Sequence, residues 1–409
     1  REAQAIIDGA EVVPHPEGDR RIGDYEPEIV QLLHDMNALA KRIHKRRMAA
    51  GQLVLDLPKI QLVLDAEGRV TDAVPEDDSF THTLIEMFMV EANEAVARLL
   101  DTLGVPFLRR IHPEPELTDA ERLRQFVGVA GHQLPKTIDR HALQQLLRSV
   151  RGRPESFAIN LSVLKSLTRA EYSPQRLGHF ALASEHYAHF TSPIRRYADL
   201  TVHRLLDAWF DQSSASFKHG PLPHPRGKHE RTKLEEVPSE RDLIDVGRHI
   251  SYSERRSEDA ENELRKVKLL TLLQGHVGEE YTGVVTGITN FGLFVQLQRW
   301  LIDGLIRYED LMDDWWDVDE RAGVVRGQRT GKKIGIGDVV RVIIAAVDVP
   351  RRELDLTIIE VMKKAGHPDP KVGVQPKRSG KKKPPSKKHE HRGGASRRNM
   401  KSKRRGKGK

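Results

Sequence analysis

Apolar residues recur at three- and four-residue spacing over several long stretches, the period of one helix face. Ile29, Leu32, Leu33, Met36, Leu39 and Ile43 form one such series; Leu84, Ile85, Phe88, Met89, Ala92, Val96, Leu99 and Leu100 form another. Between them, IQLVLDAEGRVTDAVP reads as two strands about Glu67-Gly68, which predicts a hairpin. Residues 120–210 read as mainly helical, with Ala142, Leu143, Leu146, Leu147 and Val150 on one amphipathic face, and a long charged helix follows from about Arg241 to Leu273. After Gly275 the pattern changes to short β-branched runs at Tyr281–Val285, Leu293–Leu297, Gly304–Ile306, Val339–Val347 and Leu354–Ile358, punctuated by Gly287, Asn290, Gly292 and Gly337. Five short strands so closely spaced predict a small antiparallel barrel. The fold class expected is α+β: a mainly helical body with β segments, then the barrel.

Composition changes this picture in one respect. The 409 residues carry a formal charge of +8, but 361–409 alone hold 19 Lys/Arg against two acids, while the preceding 360 carry 48 basic and 57 acidic side chains. A mildly acidic body therefore precedes a basic tail. That tail is rich in Lys, Arg, Gly, Pro and Ser and cannot bury enough surface to offset chain entropy, so disorder is expected over 361–409. The expected divisions are a body over 1–274, with an exposed low-complexity loop over 213–240, and a barrel over 278–360. No stretch approaches the roughly 18 apolar residues of a membrane helix. With no cysteine, disulfide scaffolds, thiolate metal sites and cysteine nucleophiles are excluded; a cytoplasmic address fits this.

The run SEHYAHFTSPIRRYADLTVHRLL carries the most chemistry. Ser192 suits a helix cap and Pro193 its first turn. Arg195 and Arg196 then stand at the positive end of the helix dipole, where cations are disfavoured unless an anion binds between them and the backbone amides. Asp199 is spaced to orient Arg195 or His203, and Tyr187, His189 and Phe190 are placed for stacking. A plain surface helix with an Arg–Asp pair is the alternative. His186 and His189 lack a third ligand nearby, so no metal is assigned to them. In the later segment, Phe291 and Phe294 flank Gly292 and Leu293, so the rings can lie on the barrel face beside a close-approaching backbone; the alternative is that one or both are core. The acidic stretch with Asp313, Asp314, Asp317, Asp319 and Glu320 reads as a solvated loop anchored by Trp315 or Trp316.

The series GEEYTGVVTGITNFGLFVQL, LIDGLIRYEDL and IGDVVRVIIAAVD resembles the S1 RNA-binding domain, an OB-fold; Arg307 stands where many such domains carry His, which implies a guanidinium stacking on a base. The Tyr187–Leu206 run resembles the RNB exoribonucleases, the ribonuclease II and ribonuclease R family. GQLVLDLPKIQLVLDAEGRV, THTLIEMFMVEANEAVARLL, PFLRRIHPEP and SERRSEDAENEL support it in the family's order. The resemblance implies 3′→5′ hydrolysis of single-stranded RNA to nucleoside 5′-monophosphates with Mg²⁺, by an enzyme that is monomeric when complete, with the ribosome as a candidate partner. It assigns Arg195 to the scissile phosphate, Glu86 to the terminal ribose and Glu261 to the lining of the RNA end. Arg196, Tyr187, Phe291, Phe294 and Arg307 become RNA-binding residues. Asn93 is expected to bond within helix packing, and Arg110 and His112 to support the backbone or touch RNA. The family's cluster of aspartates finds no match, so this chain supplies no metal ligand. The expectation is the C-terminal part of such an enzyme; a remnant that binds RNA without cutting it is the alternative.

Overall fold

A computed structural model describes residues 1–153, 155–217, 238–311, 314–319 and 323–363. Helix α1 (Glu2–Ile7) and short strands β1 (Val12–Val13) and β2 (Arg20–Arg21) precede α2 (Pro27–Ala49), whose first residue is a proline with no donor to lose. The predicted hairpin forms from β3 (Ile60–Leu64) and β4 (Val70–Pro75), followed by α3 (Phe80–Leu103). Next come β5 (Arg109–Ile111), α4 (Leu117–Val129), α5 (Arg140–Val150), α6 (Ser156–Ser166) and β6 (Glu171–Ser173). Helices α7 (Tyr197–Phe217) and α8 (Glu240–Leu273) complete the body. In α5 the predicted face is the buried one, through Leu143, Leu146, Leu147 and Val150, and Asp139 caps the helix by accepting from Ala142 N at 2.7 Å. None of the described helices is long and apolar enough to cross a membrane.

The five expected strands are present as β7 (Glu280–Ile288), β8 (Gly292–Leu297), β9 (Ile302–Arg307), β13 (Val339–Asp348) and β14 (Glu353–Lys363), closed in the order β13-β14-β9-β8-β7. One junction, β14 to β9, is parallel, with Asp355 opposite Leu305. The connection expected as a solvated loop is instead a second sheet of β10 (Trp316–Asp319), β11 (Val324–Gly327) and β12 (Lys333–Gly335). Trp316 anchors it, half-buried against the barrel core with Nε1 donating to Leu311 O at 3.2 Å, while Trp315 is exposed. Asp314 organises the β11–β12 turn. Desolvation raises its carboxyl, but the Thr330 hydroxyl and the amides of Arg329, Thr330 and Trp315 outweigh that and hold it at about 2. Asp313 and Glu320 lie outside the described residues.

Two expected boundaries move. Helix α7 continues to Phe217 and α8 begins at Glu240, so 213–217 is helix rather than loop. Strand β14 runs to Lys363, past the expected end of the barrel. The remainder of both low-complexity segments, 218–237 and 364–409, lies outside the described residues.

Barrel and body share one hydrophobic core. Leu293, Val295, Leu297 and Trp300 pack with Ile60 and Ala73 of the hairpin and with Leu269, Leu270 and Leu273 at the end of α8. Polar clamps reinforce the joint: Lys268 Nζ donates to Gly68 O at 2.8 Å, and Arg352 pairs with Glu263. At its other end α8 crosses β6 so closely that a Cβ on Gly247 would meet Tyr172 O at 2.5 Å. Gly247→Ala should gain up to ~1 kcal/mol of helix propensity but lose about 1–3 kcal/mol to overpacking. A lower urea midpoint is the expected result; an unchanged or higher one would contradict this contact.

Candidate functional site

Strands β5 and β6 lie at the centre of the body, with Arg110 opposite Tyr172. The segment between β6 and α7 returns over them and is fastened by backbone and side chain alike. Arg110 N donates to Tyr187 O at 3.1 Å. Asn93 of α3, buried, gives Nδ2 to the Tyr187 hydroxyl at 3.1 Å and accepts from Phe190 N at 2.9 Å. His203 stacks on Phe190 at 4.5 Å and bonds its carbonyl through Nε2 at 2.9 Å. Tyr187 is therefore not a stacking platform: its ring is 7% exposed, with His179 and His189 edge-on at 5.2 and 5.8 Å. The space a base would need is filled by protein.

The turn that follows departs from the expected helix start. Ser192 O accepts from Arg195 N at 3.3 Å and Arg196 N at 3.1 Å, and regular helix begins only at Tyr197. Asp199, wholly buried, accepts from Ser192 N at 2.8 Å and from the Arg196 guanidinium at 2.7 Å. It thus orients neither Arg195 nor His203 but Arg196, because the turn places that residue one position before the helix and three before the carboxylate. Arg195 is left exposed, without an ion pair among the described residues, beside a fully exposed Ile194.

Beneath the turn, Arg110 donates to Glu254 of α8 at 2.5 Å and lies 4.6 Å over the Tyr172 ring. The Tyr172 hydroxyl bonds His189 Nδ1 at 2.9 Å, and His112 stacks on His179 at 4.9 Å. Burial pushes the Tyr172 phenol up to about 12. Burial, reinforced by Arg196 and Arg110, drives His189 down to about 3; burial, with His112 and Arg110 close by, does the same to His179. These imidazoles are neutral at ordinary pH, so the charge here is guanidinium and carboxylate only. Arg110 and Arg196 are each matched by an acid, whereas Arg195 is exposed and has no ion pair among the described residues.

Glu86 is exposed on α3, seven residues before Asn93 and hence on the same face, about 10 Å along the axis. Glu261 bears the same relation to Glu254 on α8, and its carboxylate meets Arg265 at 3.4 Å on an exposed surface. Arg110 supports the segment through its backbone, one of the two roles expected of it, while Asn93, expected to bond within helix packing, instead reaches across to the segment; Tyr172 and Glu254 had no local signal. Among the described residues no group of three or more His, Asp or Glu side chains can hold a metal ion.

On the barrel, Leu293, Val295 and Leu297 face the core, whereas Phe294 turns outward and meets Phe291, 55% exposed, with centroids at 6.0 Å and planes at 86°. Gly292 lies opposite Arg307, and a Cβ on it would meet Ile306 O at 2.4 Å, so only glycine lets the strands close here. Asp355 holds the Arg307 guanidinium at 3.3 and 3.4 Å, leaving it partly exposed beside the two rings.

Comparison with known proteins returns the same two parts. The RNB domain matches residues 1–212 and the S1 RNA binding domain residues 276–359. Ribonuclease R of Aquifex aeolicus is 34% identical over 352 residues, 85% of this chain and 47% of the relative. Ribonuclease R of Escherichia coli K12 is 30% identical over 345 residues, 84% of this chain and 41% of the relative. The apo form of Mycoplasma genitalium RNase R superposes with a TM-score of 0.71 at 27% identity, covering 82% of this chain and 50% of that one. The same protein in complex with ribose-methylated single-stranded RNA gives 0.71 at 26% identity. The chain spans under half the length of these curated relatives.

Proposed function

From a chain that belongs to the RNB family and carries an S1 barrel behind its RNB part, we propose a role in 3′→5′ exoribonucleolysis of single-stranded RNA to nucleoside 5′-monophosphates. The observation that carries this reading is Arg195: one unmatched cation on a turn whose other charges are neutralised internally, which is what gripping a phosphate requires. Arg196, tied to Asp199, fixes the turn, and Tyr187 props it from below. Glu86 and Glu261 offer exposed acceptors for the hydroxyls of the RNA end. Phe291 and Phe294 stack bases on the barrel, with Arg307 oriented beside them. The reading includes a cytoplasmic, monomeric enzyme with the ribosome as candidate partner, and these points rest on the family alone.

The Mg²⁺ that the family implies does not fit the described residues. Asp199 is committed to Arg196, Glu254 to Arg110, and Glu261 meets Arg265, so no carboxylate set converges. Two-metal hydrolysis needs such a set. That favours a second reading in which these residues bind and orient RNA without cutting it.

One assay separates the two. The chain is incubated with Mg²⁺ and 5′-labelled oligo(A), following binding and products together. Release of mononucleotides would show that this chain suffices for hydrolysis and would end the second reading; tight binding without release supports it. Failure to bind would sink both. Arg195→Ala is expected to weaken binding by about 1.5–3 kcal/mol, the worth of a charge-assisted hydrogen bond. Phe291→Ala should cost about 1–3 kcal/mol.

A further inference from the structure

A cleft of about 690 Å³ opens between the body and the barrel. Its floor is one rung of the barrel: Val339 pairs with Val284, and Val284 with Gln296. The opposite wall comes from the α5–α6 connection and the start of α6, with Arg153, Ser156 and Phe157. Phe157 is half-buried and belongs to none of the apolar core clusters; the amides of Gln296 and Gln298 make no side-chain hydrogen bond among the described residues. Arg153 is mostly exposed and touches Glu155 only at 3.9 Å.

The outward positions of β8 lead into this cleft. Phe294 and Gln296 point away from the core and Gln298 continues the same side, so the stripe runs about 13 Å from the aromatic face. A flat ring, two amides able to donate and accept, a hydroxyl and a guanidinium together match a nucleotide: a π-face, a hydrogen-bonding base edge and a phosphate. Pro58, Leu301 and Met362 add apolar lining and Asp56 a carboxylate, but a lipid chain would leave the two amides, the hydroxyl and the guanidinium without partners.

We propose that the body–barrel cleft is a nucleotide subsite, in which a base of bound RNA stacks on Phe157 and is read by Gln296 and Gln298 while Arg153 meets its phosphate. The subsite extends the RNA path beyond Phe291 and Phe294 and rests on the RNA-binding reading above. It predicts a length threshold: RNA that only covers the aromatic face does not sense the cleft, and longer RNA does.

The test uses the 409-residue chain with labelled oligo(U) of four and of twelve nucleotides. Phe157→Ala should weaken binding of the twelve-mer about tenfold, the size of one lost base stack, and leave the four-mer unchanged. Phe157→Tyr, which keeps the ring, should bind like the parent and shows that the α6 start tolerates substitution. With 4-thiouridine near one end of the twelve-mer, cross-links should fall on peptides containing Phe157 or Gln298. If Phe157→Ala binds the twelve-mer normally while Phe291→Ala weakens both lengths, the cleft proposal is wrong and the barrel reading survives. If the parent chain binds neither RNA, both fail.

Discussion

Asp199→Ala should lower the unfolding free energy by about 3–5 kcal/mol, the cost of breaking one side of a buried ion pair. The carboxylate is wholly buried and is the partner of both Ser192 N and the Arg196 guanidinium, itself mostly buried. A well-packed apolar pair in its place would lose little, because the two desolvation penalties roughly cancel the attraction. Removing the acid alone leaves a guanidinium charge and a backbone donor without their acceptor. Asp199→Asn keeps one acceptor and should cost less, about 1–3 kcal/mol. Both variants should also weaken oligo(A) binding, since the turn that presents Arg195 loses its anchor. Arg195→Ala should weaken binding yet change stability by under ~0.5 kcal/mol, because that side chain is exposed. Urea unfolding followed by circular dichroism reads the first effect and anisotropy titration the second. A loss below 1 kcal/mol for Asp199→Ala would show that the buried pair does not hold the turn.

Acid should destabilise the body well above the pH at which carboxylates titrate. His179 and His189 are held at about 3, chiefly by burial, whereas an unfolded histidine takes its proton near 6.5. Between those values the unfolded chain binds more protons than the folded one, so stability rises with pH across the window. The contribution is complete above about pH 6.5 and is lost progressively as pH falls towards 3. At pH 5 each imidazole should have removed about 2 kcal/mol, and the pair about twice that, because both stay neutral in the folded chain there. His112, lowered in the same direction by burial, adds to the trend. Unfolding free energies at pH 7.5, 6 and 5 test this, with His189→Gln expected to flatten the slope by one histidine's share. A profile flat over that range would mean that the imidazoles are hydrated in the folded chain.

Much of the scaffold is local and was therefore legible. The period of three and four in α5, the two-residue period in β8 and the glycine-bearing turn of the hairpin each act within a few residues. The positions of Arg195, Phe291 and Phe294 were readable for the same reason: a motif places them relative to their immediate neighbours. The partners were not. Asn93 meets Tyr187 across 94 residues, and Arg110 meets Glu254 across 144. No spacing rule encodes contacts of that length, so the burial of Tyr187 and the neutrality of the imidazoles could not be foreseen.

Helix α2 shows the division within one element. Its apolar period establishes that a helix forms, yet Ile29, Leu32 and Leu39 from that series are exposed, while Ala40, Ile43 and Arg47 are buried. Arg47 sits inside because Glu91, Glu94, Gln52 and Leu182 O surround its guanidinium, a set assembled from the loop just after the helix and two distant segments. The sequence by itself determined the helices and the five barrel strands, because each follows from side-chain period or local backbone preference. Only the tertiary structure decided which faces are covered, that Asp199 serves Arg196 and not Arg195, and that β10, β11 and β12 form a sheet. Those outcomes depend on which distant groups reach a buried charge or donor first, and the cost of leaving such a group unpaired selects the arrangement.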